Sequence, residues 1–316
     1  MHATDPQKRG SIMEENKQNS GIKSFFMDVI CGAAIGIAFI IPGFSGGSIA
    51  AILGIYEKLV GAIAGIFKEF KKSILTLLPI GIGMVLGVIS LLFPLGWALG
   101  AFPIPTVCIF VGLAIGGLPS ITDNCRGGIK LTNIFAFIIP LGLAAALSFL
   151  PVQPDVNLLS GLNFGDYLLL LIIGLVGSTA LVVPGISGSM LLLIFGYYNP
   201  IVSLMTDHLF KGRDVGQSVA VLCTVGGGIV AGFFIISVIM KWLLKSCPRG
   251  THFAILGFII GSIPTVFIST AKESGLTFSA LMPNALYWVI SAILLIAGFM
   301  ASFSLVLLAK KKSKSR

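Results

Sequence analysis

Charge is what this sequence has least of. Of its 316 residues only 10% are Asp, Glu, Lys or Arg, while 56% are hydrophobic and the mean hydropathy is +1.01. So little charge cannot coat a water-soluble domain, and it leaves no basic face for nucleic acid. Reactive side chains are equally thin. The three histidines (His2, His208, His252) stand far apart, and the five cysteines (Cys31, Cys108, Cys125, Cys223, Cys247) show neither CxxC nor Cys/His spacing. No metal site and no nucleophile with its base can be assembled from them, so neither a metal, nor a cofactor, nor an enzymatic activity is expected. The N-terminus carries no cleavable signal pattern, and residues 1–24 read as a polar cytoplasmic tail.

Long uncharged stretches are what the chain does have. Residues 29–56, 73–122, 131–154, 167–206 and 274–309 contain no charged side chain. A bilayer's hydrocarbon core needs about 20 helical residues to cross, and these stretches supply them. The expected fold class is an all-α polytopic membrane protein. Two of the stretches are interrupted in the same way. Pro42 to Ser48 places one proline, three glycines and two serines within seven residues, and Pro184 to Ser189 repeats the pattern. An unsatisfied backbone amide at membrane depth costs several kcal/mol, so broken helices there line a cavity or a site.

The repetition extends over the chain. A shift of 142 residues superposes Gly32, Pro42, Gly43, Ser45, Gly46, Gly54 and Tyr56 on Gly174, Pro184, Gly185, Ser187, Gly188, Gly196 and Tyr198. Farther on the shift becomes 145, where GIGMVLG (81–87) matches GGGIVAG (226–232) and GLAIGGLP (112–119) matches GFIIGSIP (257–264). Each half reads as an apolar arm, the PGxSG break, a short second arm and three longer segments. The second arm, Ser45 to Tyr56, has 12 residues. As a helix that is about 18 Å against a core of about 30 Å, so a re-entrant hairpin is expected.

A hairpin plus three crossings is an odd number of passes, which inverts the second half relative to the first. Basic residues collect on the cytoplasmic side of such proteins. On this topology 18 of the 21 Lys and Arg lie there, leaving Lys211, Arg213 and Lys272 outside, and both termini are cytoplasmic. The expected organisation is a first inverted repeat at 25–150, an external linker at 151–164, a second repeat at 165–309 and a basic cytoplasmic tail at 310–316.

Inverted repeats with discontinuous helices are a transporter architecture whose site lies where the breaks meet. Both short helices would point N-termini at the centre, and free amides at the positive end of a helix dipole suit an anion such as phosphate. The candidate binding residues are Ser45, Ser48, Ser187 and Ser189 for their hydroxyls, and Gly43, Gly46, Gly47, Gly185 and Gly188 for close backbone approach. Packing kinks lined by small residues are the competing reading of the same breaks. Asp28 and Asp166, on the first arms, are candidates for ion coupling. Tyr56 and Tyr198 read as interfacial anchors, and the GxxxG pairs Gly112/Gly116 and Gly257/Gly261 as helix contacts. A small soluble anion would suit such a site as well as a lipid head group. A lipid phosphatase would need a histidine nucleophile with basic phosphate ligands, and no such set is visible.

At PGFSGG (42–47) and PGISGS (184–189) the sequence resembles the bacterial and archaeal polyprenyl-phosphate transporter family, over residues 25–309. The resemblance implies a flippase of the bacterial cytoplasmic membrane. Its substrate would be undecaprenyl phosphate, the lipid carrier of envelope polymers, returned from the outer to the inner leaflet. Pro42 to Ser48 and Pro184 to Ser189 would be its functional segments.

Overall fold

A computed structural model describes residues 24–38, 45–127, 130–151, 153–159, 161–186, 188–209, 211–274, 280 and 284–314. Every regular element in them is a helix. In chain order these are α1 (Ser24–Ala38), α2 (Gly46–Ile52), α3 (Tyr56–Gly65), α4 (Phe70–Ala101) and α5 (Pro103–Thr122) with a 3-10 turn (Asp123–Cys125). Next come α6 (Leu131–Phe149), α7 (Phe164–Val182), α8 (Gly188–Ile194) and α9 (Tyr198–Ser203), which runs into a π-helical turn (Leu204–Leu209). The chain closes with α10 (Val215–Ser246), α11 (Pro248–Ser274) and α12 (Ala285–Lys314).

Among the described residues six helices are long and apolar enough to cross a membrane: α4, α5, α7, α10, α11 and α12. Their outward faces are apolar too. Phe93 on α4 is 82% exposed and Phe164 on α7 is 84% exposed, and many leucines and isoleucines lie open beside them. Water would not tolerate such a surface, but lipid is its natural solvent. The protein is a multi-pass membrane protein.

Elements of the second half follow the order of the first. α4 and α10 have 32 residues each, and α2 and α8 have 7 each. The short helices even end alike. The amides of Gly54 and Ile55 bond back to the carbonyls of Ala51 and Ala50, and those of Gly196 and Tyr197 to Leu193 and Leu192. This is a Schellman stop, which needs a left-handed residue, and Gly54 (φ 72°) and Gly196 (φ 76°) supply it.

Helix pairing recurs as well. On α1 and α4, Gly32 lies against the Ile80 carbonyl and Gly83 against that of Val29; on α7 and α10 the equivalents are Gly174 against Val225 and Gly228 against Leu171. A Cβ at any of the four would collide with backbone. α5 of the first half packs along α12 of the second, and α11 of the second along α6 of the first. The GxxxG pairs make these contacts: Gly112 and Gly116 meet the backbone of Leu295 and Phe299, while Gly257 and Gly261 meet that of Phe137 and Leu141. The halves are thus interlocked by exchange of a helix in each direction.

Two lengths depart from the expected plan. A crossing is expected at α6, but its apolar stretch Leu131–Leu147 is one of the shorter apolar helices, outside those six. α1 has 15 described residues, too few to cross, whereas the equivalent arm α7 has 19 and could. Its start is fixed by a capping box, in which Asn163 accepts from the amides of Gly165 and Asp166 and the Asp166 carboxylate accepts from the Asn163 amide at 2.8 Å.

Candidate functional site

The largest buried cluster is built around α2, with Ala50 fully buried and Ile35, Val60, Ile80, Ala114, Val182, Ile255 and Ile259 packed around it from six other helices. α2 is a seven-residue helix with no charged residue, buried along its whole length against α5, α7 and α11. Being so short, it depends on its neighbours for end satisfaction. Ser120 of α5 donates its hydroxyl to the Ile52 carbonyl at 2.8 Å, closing one end. At the other end Ser45 stands at the N-cap with extended backbone, but its side chain makes no cap bond. It reaches instead to the second break, donating to the Ala180 carbonyl of α7 at 3.2 Å.

The two breaks therefore meet. Tyr56, at the start of α3, donates its hydroxyl to the Val182 carbonyl at 2.8 Å and is 4% exposed. Expected as an interfacial anchor, it is an internal brace. Ser45 and Tyr56 together satisfy two carbonyls that the last turn of α7 leaves without helical donors. Gly47 lies between them, and a Cβ there would sit 3.2 Å from the Val182 carbonyl oxygen and 3.3 Å from the Pro184 nitrogen. Gly185, with φ 84°, presses on the backbone of Phe258 and Ile259 in α11, which leaves no space for a side chain. Gly188 packs more loosely, 3.2 Å from the Ala180 methyl to a Cβ placed on it.

Among the expected hydroxyls, Ser48 differs from Ser45. It is 3% exposed, and its Oγ has no hydrogen-bond partner among the described residues. A buried orphan hydroxyl in the first turn of α2 is costly unless something else fills its valence. The repeat places Met190 where Ser48 stands in the first half. Gly43 and Ser187 lie outside the described residues, as does the side chain of Ser189; Gly46 is buried in α2.

The acidic candidates are not brought together. Asp28 is buried on α1, and Lys58 of α3 bonds both its carboxylate oxygens, at 2.7 and 2.5 Å. The pair ties α1 to α3. Asp166 is committed to its capping box at the start of α7. Beside the Asp28–Lys58 pair, Lys71 and Lys72 of α4 complete a groove of about 470 Å³. Phe25, Phe26, Phe70 and Leu75 are exposed near it, so the cations sit at the border of the lipid-facing surface.

Six apolar helices, a short buried helix α2 set against the end of α7, and a basic groove at the lipid border define a multi-pass membrane protein with interrupted helices, a build that transporters use. Sequence comparison gives the family. A model of the undecaprenyl phosphate translocase-like family matches residues 35–280, and the chain belongs to that family. A polyprenyl-phosphate transporter of Staphylococcus aureus is 32% identical over 284 residues, covering 89% of this chain and 95% of that protein. Another of the same name, from Vibrio cholerae, is 27% identical over 253 residues and 75% of each chain. No solved structure matches.

Proposed function

We propose that this protein is a flippase that carries undecaprenyl phosphate from the outer to the inner leaflet of the bacterial cytoplasmic membrane. The observation that carries the reading is the junction of the two halves, where Ser45 and Gly47 at the first break and Tyr56 of α3 touch Ala180, Val182 and Pro184 at the second, and the Ser48 hydroxyl finds no partner among the described residues. A phosphate between the hairpins would meet first-turn amides and the Ser48 hydroxyl, with no lysine or arginine to hold it too tightly for release. Gly43, Ser45, Gly46, Gly47 and Ser48 would line it from one side, and Gly185, Ser187, Gly188 and Ser189 from the other. The isoprenoid tail would remain in the bilayer throughout. The names of both relatives support this choice of substrate over a small soluble anion.

Each half is proposed to be a re-entrant hairpin (α1 and α2, or α7 and α8) followed by three crossings, with the second half inverted. The repeated pairings and the bias of 18 basic residues in 21 support it. A start of α7 in the interfacial region, which its exposed capping box supports, would let a 19-residue arm stop short of the far side. Cysteines introduced singly at Ser11 and Ser160, with the five native ones replaced, should differ in labelling by an impermeant reagent on intact cells: Ser160 labels and Ser11 does not. Equal labelling of both would refute the inversion.

Carrying one negative charge inward against 100 mV costs about 2.3 kcal/mol, so the cycle needs an ion gradient or a downhill lipid gradient. Cells depleted of this protein and of any redundant transporter should accumulate undecaprenyl phosphate in the outer leaflet and become sensitive to agents that capture it there. Unchanged surface lipid in such cells would move the reading to a soluble anion.

A further inference from the structure

One titratable cluster takes no part in the phosphate site. His252, in the first turns of α11, is 8% exposed and lines a cavity of about 210 Å³ with Gly54, Tyr56, Glu57, Ser120 and Asn124, where the short helix α2 ends. Three groups surround its ring. Nδ1 is 2.7 Å from the Pro248 carbonyl oxygen, Nε2 is 3.1 Å from the Asn124 amide nitrogen, and Nε2 is 3.3 Å from a Glu57 carboxylate oxygen.

These contacts cannot all be satisfied in one protonation state. A carbonyl only accepts, so Nδ1 carries a hydrogen in every state. In the neutral ring Nε2 is then a lone pair, which accepts from Asn124 but faces the Glu57 carboxylate acceptor to acceptor. With a proton added, Nε2 donates to Glu57 and the Asn124 amide must turn away or offer its oxygen. A single proton thus chooses between two partners on two different elements, α3 and the turn after α5.

We infer that His252 is a proton-binding site of the transport cycle, whose occupancy ties the end of the first hairpin to α11 through Glu57. The inference rests on the flippase reading. The proton comes from water at the face where Glu57 is 63% exposed, binds Nε2, and converts a His252–Asn124 hydrogen bond into a His252–Glu57 ion pair. Proton bound, Glu57 holds the α2–α3 corner against α11 and the cavity stays closed. Proton released, the corner is free to move. Most other charges on the packed elements are already engaged or exposed: Lys58 is held by Asp28, Arg126 by Asp123 at 2.8 Å, and Lys241 donates to the Gly61 carbonyl at 3.4 Å, while Lys130 and Lys245 are exposed. Arg249, one turn before His252, is exposed but lays its guanidinium against Gly127, in the turn that also carries Asn124. The repeat-related position has no such pair, although the second half has a histidine–carboxylate contact of its own, with His208 Nδ1 3.3 Å from an Asp214 carboxylate oxygen. Asn199 stands at the position of Glu57 and Val107 at that of His252, and Asn199 donates its amide to Asp155 at 3.2 Å with no proton to exchange.

The test uses the full chain reconstituted in vesicles containing undecaprenyl phosphate, with equal pH on both sides. Transport should be about fivefold slower at pH 5.5 than at pH 7.5, across the range where histidine changes charge. H252Q, whose amide reaches the Nε2 position, and E57Q should both lose most of this difference, keeping only the part set by the lipid phosphate itself, whose second proton comes off at about pH 6. An unchanged pH profile in H252Q would overturn the inference. With only three histidines in the chain, ¹⁵N-histidine spectra give a readout independent of transport. The resonance missing in H252Q should show the Nδ1–H tautomer at high pH and a doubly protonated ring at pH 5.5. The opposite tautomer, or a ring that takes no proton over this range, also overturns it. Wild-type protein that moves no lipid at any pH would instead count against the flippase reading, and the spectra would still decide the proton site.

Discussion

Ser48→Ala should leave the protein as stable as before, or more so, and cut transport roughly ten- to hundredfold. Removal of most buried hydroxyls costs stability because it deletes a hydrogen bond, but Ser48 Oγ makes none among the described residues. Nothing among the described residues offsets its desolvation, a cost of about 1–3 kcal/mol that alanine does not incur. A phosphate would supply the missing partner, and a hydrogen bond to a charged group contributes about 1.5–3 kcal/mol, which is the source of the expected loss in rate. Ser45→Ala should behave in the opposite sense, with stability lowered by about 1 kcal/mol through the orphaned Ala180 carbonyl and transport reduced only in part. Thermal unfolding in detergent and lipid transport in vesicles, measured on the same preparations, separate the two serines. Full transport by Ser48→Ala would remove the hydroxyl from the phosphate site.

The second large effect concerns glycines at the junction. Gly47→Val should yield folded protein with transport lost by about a hundredfold or more, because its methyl groups would force apart hairpins that already stand at contact distance. Gly185→Val should fail earlier. Its backbone is left-handed, which costs an L-residue about 1–2 kcal/mol before any clash, and the α11 backbone occupies the space a side chain needs. The expected outcome is protein that does not accumulate in the membrane. A well-folded, active Gly47→Val would mean that the breaks are packing kinks and that phosphate passes elsewhere.

Much of this was legible in the sequence because spacing survives when contacts are unknown. The 142-residue shift that aligned Pro42 with Pro184 also aligned Gly54 with Gly196, and both glycines take the left-handed turn that ends their short helices. GxxxG spacing marked the faces by which α5 meets α12 and α6 meets α11. What could not be read was partnership across long separations. Tyr56 looked like an anchor because its neighbours are Ile55 and Glu57, yet its acceptor is the Val182 carbonyl, 126 residues on. Asp28 has Lys23 five residues before it in sequence but bonds Lys58, and His252 stood alone until folding set Asn124 and Glu57 against it. Backbone acceptors leave no trace in composition, and any residue type can present one. That is why the brace at the centre had no sequence signal beyond the recurrence of Tyr56 at Tyr198.

Exchange of α5 and α6 with the far half also dictates the order in which the molecule can be made. During synthesis α5 emerges from the ribosome with its packing face complete, but its partner α12 is the last helix of the chain. α6 waits likewise for α11. Until then the glycine-lined faces at Gly112 and Gly116 are covered only by lipid or by the insertion machinery, so the first half cannot mature on its own. A chain cut in the loop between α6 and α7 and expressed as two pieces would have to assemble as a heterodimer, each piece finishing the other, and the same geometry describes how two copies of an ancestral half could once have done so.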